Sequence, residues 1–130
     1  MATSVLTTEV ITNITDELNT AIPDVFGKSV VKAYLYGSCA RGDFSADSDI
    51  DIAVLFDCSR EDSQAHISEA ARLSTDIAMK TFQVVNFACL PYDEFVDKKE
   101  WYPFYANIEK DGVLIYGLWA KTKLIPVLAA

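Results

Sequence analysis

The run Asp49-Ile50-Asp51-Ile52 limits what this chain can fold into more than any other feature. In an extended strand successive side chains alternate between faces, so residues two apart point the same way. Ile50 and Ile52 then enter a core, while Asp49 and Asp51 emerge together on the opposite face. Two carboxylates held side by side repel each other and lose solvation, so the arrangement calls for a compensating cation. Mg²⁺ is a hard ion that takes oxygen ligands and keeps positions open for water and phosphates. The plainer alternative is two solvated residues at a strand start.

What precedes the pair favours the metal. Val30 to Tyr36, VVKAYLY, is β-branched and aromatic and reads as a strand that runs into Gly37-Ser38. A helical turn follows around Cys39 to Gly42, then a polar loop from Asp43 to Ser48, then the strand Asp49 to Phe56. A strand that ends in Gly-Ser at the start of a helical turn offers free backbone N–H groups, and glycine lets a phosphate approach closely. Ser38 adds a hydroxyl, or serves as an N-cap, or both. Arg41, one turn on, reaches a phosphate or fixes the loop through Asp43 or Asp47. Gly42 reads as a turn glycine without a chemical role. A phosphate cradle beside a metal clamp suits phosphoryl or nucleotidyl transfer, in which positioning and charge neutralisation carry most of the catalysis.

The full run YGSCARGDFSADSDIDIAVLF, Tyr36 to Phe56, resembles the signature of the nucleotidyltransferase superfamily related to DNA polymerase beta, G-S, then A-R-G, then S-D-x-D. It is most similar to the small minimal nucleotidyltransferases, and the downstream order of helix, strand, helix and D-G-V-L-I-Y extends the likeness over most of residues 5–117. The resemblance implies an α/β (α+β) nucleotidyltransferase fold, a small mixed sheet with helices packed on it. It implies Mg²⁺ on Asp49 and Asp51, a nucleoside triphosphate (ATP favoured) held by Gly37, Ser38 and Arg41, and transfer of a nucleoside monophosphate to a hydroxyl. Small members are often paired with a helical HEPN-type toxin, so an antitoxin role is implied as well. One departure stands out. Many active members carry a third carboxylate on the neighbouring strand, and the matching position here is Asn86, in VVNFAC. Asparagine offers a neutral oxygen but cannot act as a general base. That leaves a rival reading, a nucleotidyltransferase-fold binding module that neutralises its partner by occlusion. A weaker one is a small-molecule transferase of the antibiotic-modifying kind.

The remainder of the chain supplies the scaffold. At 130 residues it has the length of one domain, expected here as a nucleotidyltransferase domain over 1–117 and a C-terminal extension of unknown role over 118–130. With 51% hydrophobic and 23% charged residues the composition is that of a globular domain. The net charge of −8 argues against a surface that grips nucleic acid through its phosphates. No stretch has the roughly 20 apolar residues of a membrane span, and no basic leader opens the chain, so a cytoplasmic location is expected. Cys39, Cys58 and Cys89 are odd in number and dispersed, which fits buried, reduced thiols.

The spacing from Val5 to Leu18 predicts an amphipathic helix that exits at Pro23 and Gly27. Asp62 to Lys80 reads as a helix, Thr81 to Leu90 as a strand, and Asp93 to Lys110 as a helix interrupted at Pro103. A buried strand follows within Gly112 to Ala120. His66 reads as an exposed position of a polar helix, and Tyr92 to Glu100 as a solvated face. Trp101 to Tyr105 reads as core aromatics or a partner surface.

Overall fold

The computed structural model describes residues 5–117; the expected extension 118–130, and with it the end of the Gly112–Ala120 run, lies outside them. The chain order is α1 (Thr8–Phe26), β1 (Val30–Tyr36), α2 (Ser38–Arg41), β2 (Ile50–Phe56), α3 (Arg60–Gln64), α4 (Ile67–Thr81), β3 (Val85–Pro91), α5 (Tyr92–Lys98), α6 (Pro103–Asp111) and β4 (Val113–Tyr116). The strands form one mixed sheet in the order β3-β2-β1-β4. β1 is antiparallel to β2 and β4, and β2 is parallel to β3. The parallel pair needs a crossover, and α3 and α4 provide it.

Strand alternation divides the interior into two layers. Ile50, Ile52, Val54 and Phe56 of β2 face α1 and α4, where Ile11, Ile14, Leu18, Ile22, Leu73 and Ile77 meet them. Ala53 and Leu55 face the other way and are covered by Phe95 of α5 and by Tyr105 and Ile108 of α6. Asp51 belongs to this second face, at the end of β2 beyond its apolar cover. The core that fixes β2 therefore also fixes which way Asp51 points. Among the described residues no helix is long and apolar enough to cross a membrane.

Several expected boundaries shift, each for a local reason. α1 continues through Pro23 to Phe26. Pro23 removes one backbone donor in the last turn, and burial of Ile22 and Phe26 holds the helix together beyond it. The helix expected over 62–80 is two. Ser59 caps α3 by accepting from Asp62 N, and α4 restarts at His66, whose carbonyl accepts from Ala70 N. The strand expected from Thr81 begins only at Val85, because α4 runs to Thr81 and ends on Phe82 in the left-handed conformation (φ 61°). Pro103 starts α6 at its first turn.

His66 is not an exposed helix position. Its ring stacks on Phe56 at 4.3 Å between centroids, and its Nδ1 meets Glu69. The solvated face expected over Tyr92 to Glu100 contains one buried anchor, Phe95. Of the aromatic cluster, Tyr105 is core whereas Trp101, Tyr102 and Phe104 are exposed. Cys39 and Cys89 are buried and Cys58 is half-buried, all three as free thiols.

Candidate active site

β1, β2 and β3 bring three side chains to one end of the sheet. The parallel register sets Asn86 directly beside Asp51, and the antiparallel register sets Tyr36 on its other side. Asp49 stands just before β2, exposed. The Asn86 amide nitrogen donates to Asp49 Oδ2 at 3.1 Å and to Asp51 Oδ1 at 3.3 Å. Two carboxylate oxygens from different residues therefore converge on one point, and the neighbouring strand supplies a polar group to it.

Gly37 makes this possible. It adopts φ 75° and ψ −156°, a region that only glycine occupies without strain. A Cβ placed on it would stand 2.6 Å from Asp51 Oδ2. The turn is thus shaped around the Asp51 carboxylate. Gly37 is also the N-cap of α2, its carbonyl accepting from Ala40 N and Arg41 N, so Ser38 occupies the first helical position rather than the cap. Ser38 is half-buried beside it.

The electrostatics follow from this packing. Burial raises the Asp51 carboxyl above the ordinary aspartate range, the Asn86 hydrogen bond opposes that shift, and the nearby Asp49 charge adds to it. Burial and the Asp51 charge push the Tyr36 hydroxyl up to about 12. Burial, followed by the same charge, takes the Cys39 thiol up to about 11, so Cys39 stays protonated, and its Sγ lies 3.5 Å from the Asp49 carbonyl, which it faces as a donor. Arg41 does not pair with Asp49 or Asp51. Its Nε meets Asp43 at 3.2 Å and its Nη1 approaches Asp111 at 3.8 Å, tying the α2 turn to the end of α6.

The donors suit a hard divalent ion. Two converging carboxylates, one raised in pKa partly by the other, form a centre of negative charge that a cation would relieve. Among the described residues no three His, Cys, Asp or Glu side chains are grouped to hold a metal, since the third corner is the amide of Asn86.

The structure thus gathers Gly37, Asp49, Asp51 and Asn86, with Ser38 adjoining, and directs Arg41 toward structural partners. Three contributors were not legible in the sequence: the Cys39–Asp49 contact, the close approach of Gly37 to Asp51, and the pairing of Asp111 with Arg41. Phe104 also joins the surroundings, its ring edge-on to Tyr36 at 5.9 Å.

A nucleotide-transferring enzyme is the class that fits this fold and this end of the sheet. Residues 20–118 match the family described as Polymerase beta, Nucleotidyltransferase, and the chain belongs to that family. It is 29% identical over 100 residues to "Putative protein adenylyltransferase MJ0604" of Methanocaldococcus jannaschii, covering 77% of this chain and 92% of that protein. Among solved structures it is similar to a toxin–antitoxin with AMP-PNP (TM-score 0.49, 18% identity, 90% of this chain and 83% of that one). It is also similar to a mutant of the toxin–antitoxin MntA-HpeT (TM-score 0.47, 17% identity, with the same coverages).

Proposed function

We propose that this chain transfers a nucleoside monophosphate, with AMP from ATP favoured, to a hydroxyl acceptor in a Mg²⁺-dependent reaction, and that it does so as the antitoxin partner of a HEPN-type toxin. The convergence of Asp49 Oδ2 and Asp51 Oδ1 on the Asn86 amide, with Asp51 Oδ2 turned toward Gly37, carries this reading. Asp49 and Asp51 hold the ion, and the Asn86 amide, turned to present its oxygen in place of its nitrogen, stands at the third corner. A divalent ion so held would neutralise phosphate charge and make the α-phosphorus more electrophilic. Gly37 and Ser38 receive the outer phosphates through the backbone N–H groups of the turn and the serine hydroxyl. Arg41 is accessory and holds the turn in place. The exposed Trp101, Tyr102 and Phe104 support a protein partner, since large apolar side chains grouped on a surface mark interaction sites.

The test is titration of the purified protein with ATP, CTP, GTP and UTP, each with and without Mg²⁺. The expected result is metal-dependent binding of one nucleotide that is lost when Asp49 and Asp51 are both replaced by asparagine. Undiminished binding by that variant would sink the site assignment.

Asn86 favours a second reading, in which the chain is a binding module that silences its partner by occlusion. An amide cannot take the proton of an attacking hydroxyl. This reading predicts that the double asparagine variant still neutralises the partner in full; loss of neutralisation by a folded variant overturns it.

A further inference from the structure

The face of the sheet that carries Asp51 also carries a pair of rings. Residues paired across neighbouring strands point to the same side, so Tyr36, opposite Asp51 in the β1–β2 ladder, stands beside it. Burial, and then the Asp51 charge, raises the Tyr36 hydroxyl, so the two groups lie within electrostatic reach of each other. Phe104, in the first turn of α6, meets Tyr36 edge-on, with 5.9 Å between ring centroids and 87° between the planes. One ladder pair and one ring pair therefore join Phe104 to the candidate metal corner.

Phe104 is nevertheless 39% exposed, so its contact with Tyr36 leaves part of the ring uncovered at the border of the site. The other exposed rings of this stretch, Trp101 and Tyr102, make their contacts with each other, with Tyr105 and with Lys98, and none with Tyr36. Phe104 also lines a cavity of about 370 Å³, together with the rings of Tyr102 and Tyr105 and the charged Arg60 and Glu94. Flat apolar walls with a few polar groups are what a small planar ligand requires.

A nucleotide bound as above has its outer phosphates at the Gly37-Ser38 turn and its α-phosphate at Asp49 and Asp51, which leaves the nucleoside to be placed. Beyond Asp51 the same face continues to Ala53 and Leu55, and α5 and α6 cover it there. Phe104 is the part of that cover in contact with the neighbour of Asp51. We propose that Phe104 is a nucleoside-contacting residue: the base of the bound nucleotide packs on its exposed ring, and Tyr36 holds that ring in place. This rests on the nucleotidyltransferase reading above. A ring reads the π-face that all bases share, so Phe104 supplies affinity for the nucleoside and leaves the choice among bases to other groups.

The test is calorimetric titration of the full chain with Mg·ATP and with Mg·tripolyphosphate, which keeps the phosphates and lacks the nucleoside. Phe104→Ala is expected to weaken Mg·ATP about tenfold, the usual scale for a lost base–aromatic stack. Tripolyphosphate affinity stays unchanged in that variant, and Phe104→Tyr, which restores the ring, restores ATP affinity. Phe104→Leu keeps apolar bulk against Tyr36 without the ring, and it repeats the comparison should the alanine variant fail to fold. Equal weakening of both ligands would mean that Phe104 acts only through Tyr36 and Asp51, and would overturn the proposal. So would unchanged ATP affinity, or ATP bound no more tightly than tripolyphosphate by the unsubstituted protein, and each of these leaves the phosphate and metal site standing. Failure of the unsubstituted protein to bind either ligand would instead overturn the reading beneath, and the role of Phe104 with it.

Discussion

Gly27 and Gly37 form a natural pair for measuring how closely the site is built around Asp51. Gly27 has φ 83° and ψ −160°, and Gly37 has φ 75° and ψ −156°, nearly the same glycine-only conformation. Alanine at either position incurs backbone strain of about 1–3 kcal/mol. The surroundings differ. Nothing lies within 4 Å of a Cβ at Gly27, whereas one at Gly37 meets Asp51 Oδ2 at 2.6 Å. The carboxylate must then turn out of its rotamer, adding about 0.5–1.5 kcal/mol. Gly27→Ala is thus expected to cost about 2 kcal/mol and Gly37→Ala about 3 kcal/mol, the central values of those ranges. At roughly 4 °C per kcal/mol for a domain of this size, Tm falls about 8 °C and about 12 °C. Urea denaturation of both variants, and of each in an Asp51→Ala background, separates the terms. The extra cost at Gly37 should vanish once the carboxylate is gone, while the Gly27 cost persists. Gly37→Ala should also weaken Mg·ATP binding, and Gly27→Ala should not. Equal losses for the two single variants, with nucleotide binding intact in both, would refute the claim that the turn is shaped around Asp51.

Three further outcomes are expected. Arg41→Ala breaks pairs that are largely exposed, so stability should fall by less than about 1 kcal/mol; a loss of ATP affinity beyond about tenfold, 1.4 kcal/mol, would reveal a direct phosphate contact instead. Asn86→Asp replaces the bridging amide with a third carboxylate, so Mg²⁺ should bind more tightly by calorimetry while the metal-free protein loses stability at neutral pH; unchanged metal affinity would remove Asn86 from the site. Hydrogen bonding from Arg60, then from Lys98, lowers the Glu94 pKa. Its stabilising contribution is therefore present above the unfolded glutamate value of about 4.3 and is lost as pH falls through the lower folded value. Unfolding measured from pH 6 to pH 2 should show that acid-range loss in the native chain and a smaller one in Glu94→Gln.

The parts of the fold legible in the sequence are those fixed by local pattern. The alternation of Asp49, Ile50, Asp51 and Ile52 gave the facing of β2, and both isoleucines are fully buried. The strand 30–36 ends where the glycine stands. The resemblance set Asn86 on the neighbouring strand, and the parallel register pairs it with Asp51. Boundaries that depend on packing were less accessible. The helix over 62–80 reads as continuous by periodicity, yet it is two, with Ser59 capping α3 and His66, stacked on Phe56, at the start of α4. The late start of β3 follows from Phe82 accepting a left-handed backbone, which no propensity of phenylalanine suggests. Within the candidate site, residue types and spacing pointed to Asp49, Asp51, Gly37 and Ser38, which the fold brings to one end of the sheet. The Asp111 contact to Arg41 joins positions 70 residues apart, the difference of their numbers, and no local pattern encodes it.

The outer rim of β3 has a bearing on how copies of this chain can meet. Val84 turns its carbonyl toward β2, so Val85 and Cys89 direct theirs away from the sheet. Ser74 Oγ donates to the first of these and Gln64 Nε2 to the second. The crossover helices thus occupy acceptors that an incoming strand would require, and an unguarded edge of this kind is where sheets propagate between molecules. Growth of the sheet from chain to chain is blocked on the β3 side. The β3 flank of the Asp51 site is thereby kept from pairing with a neighbour's strand.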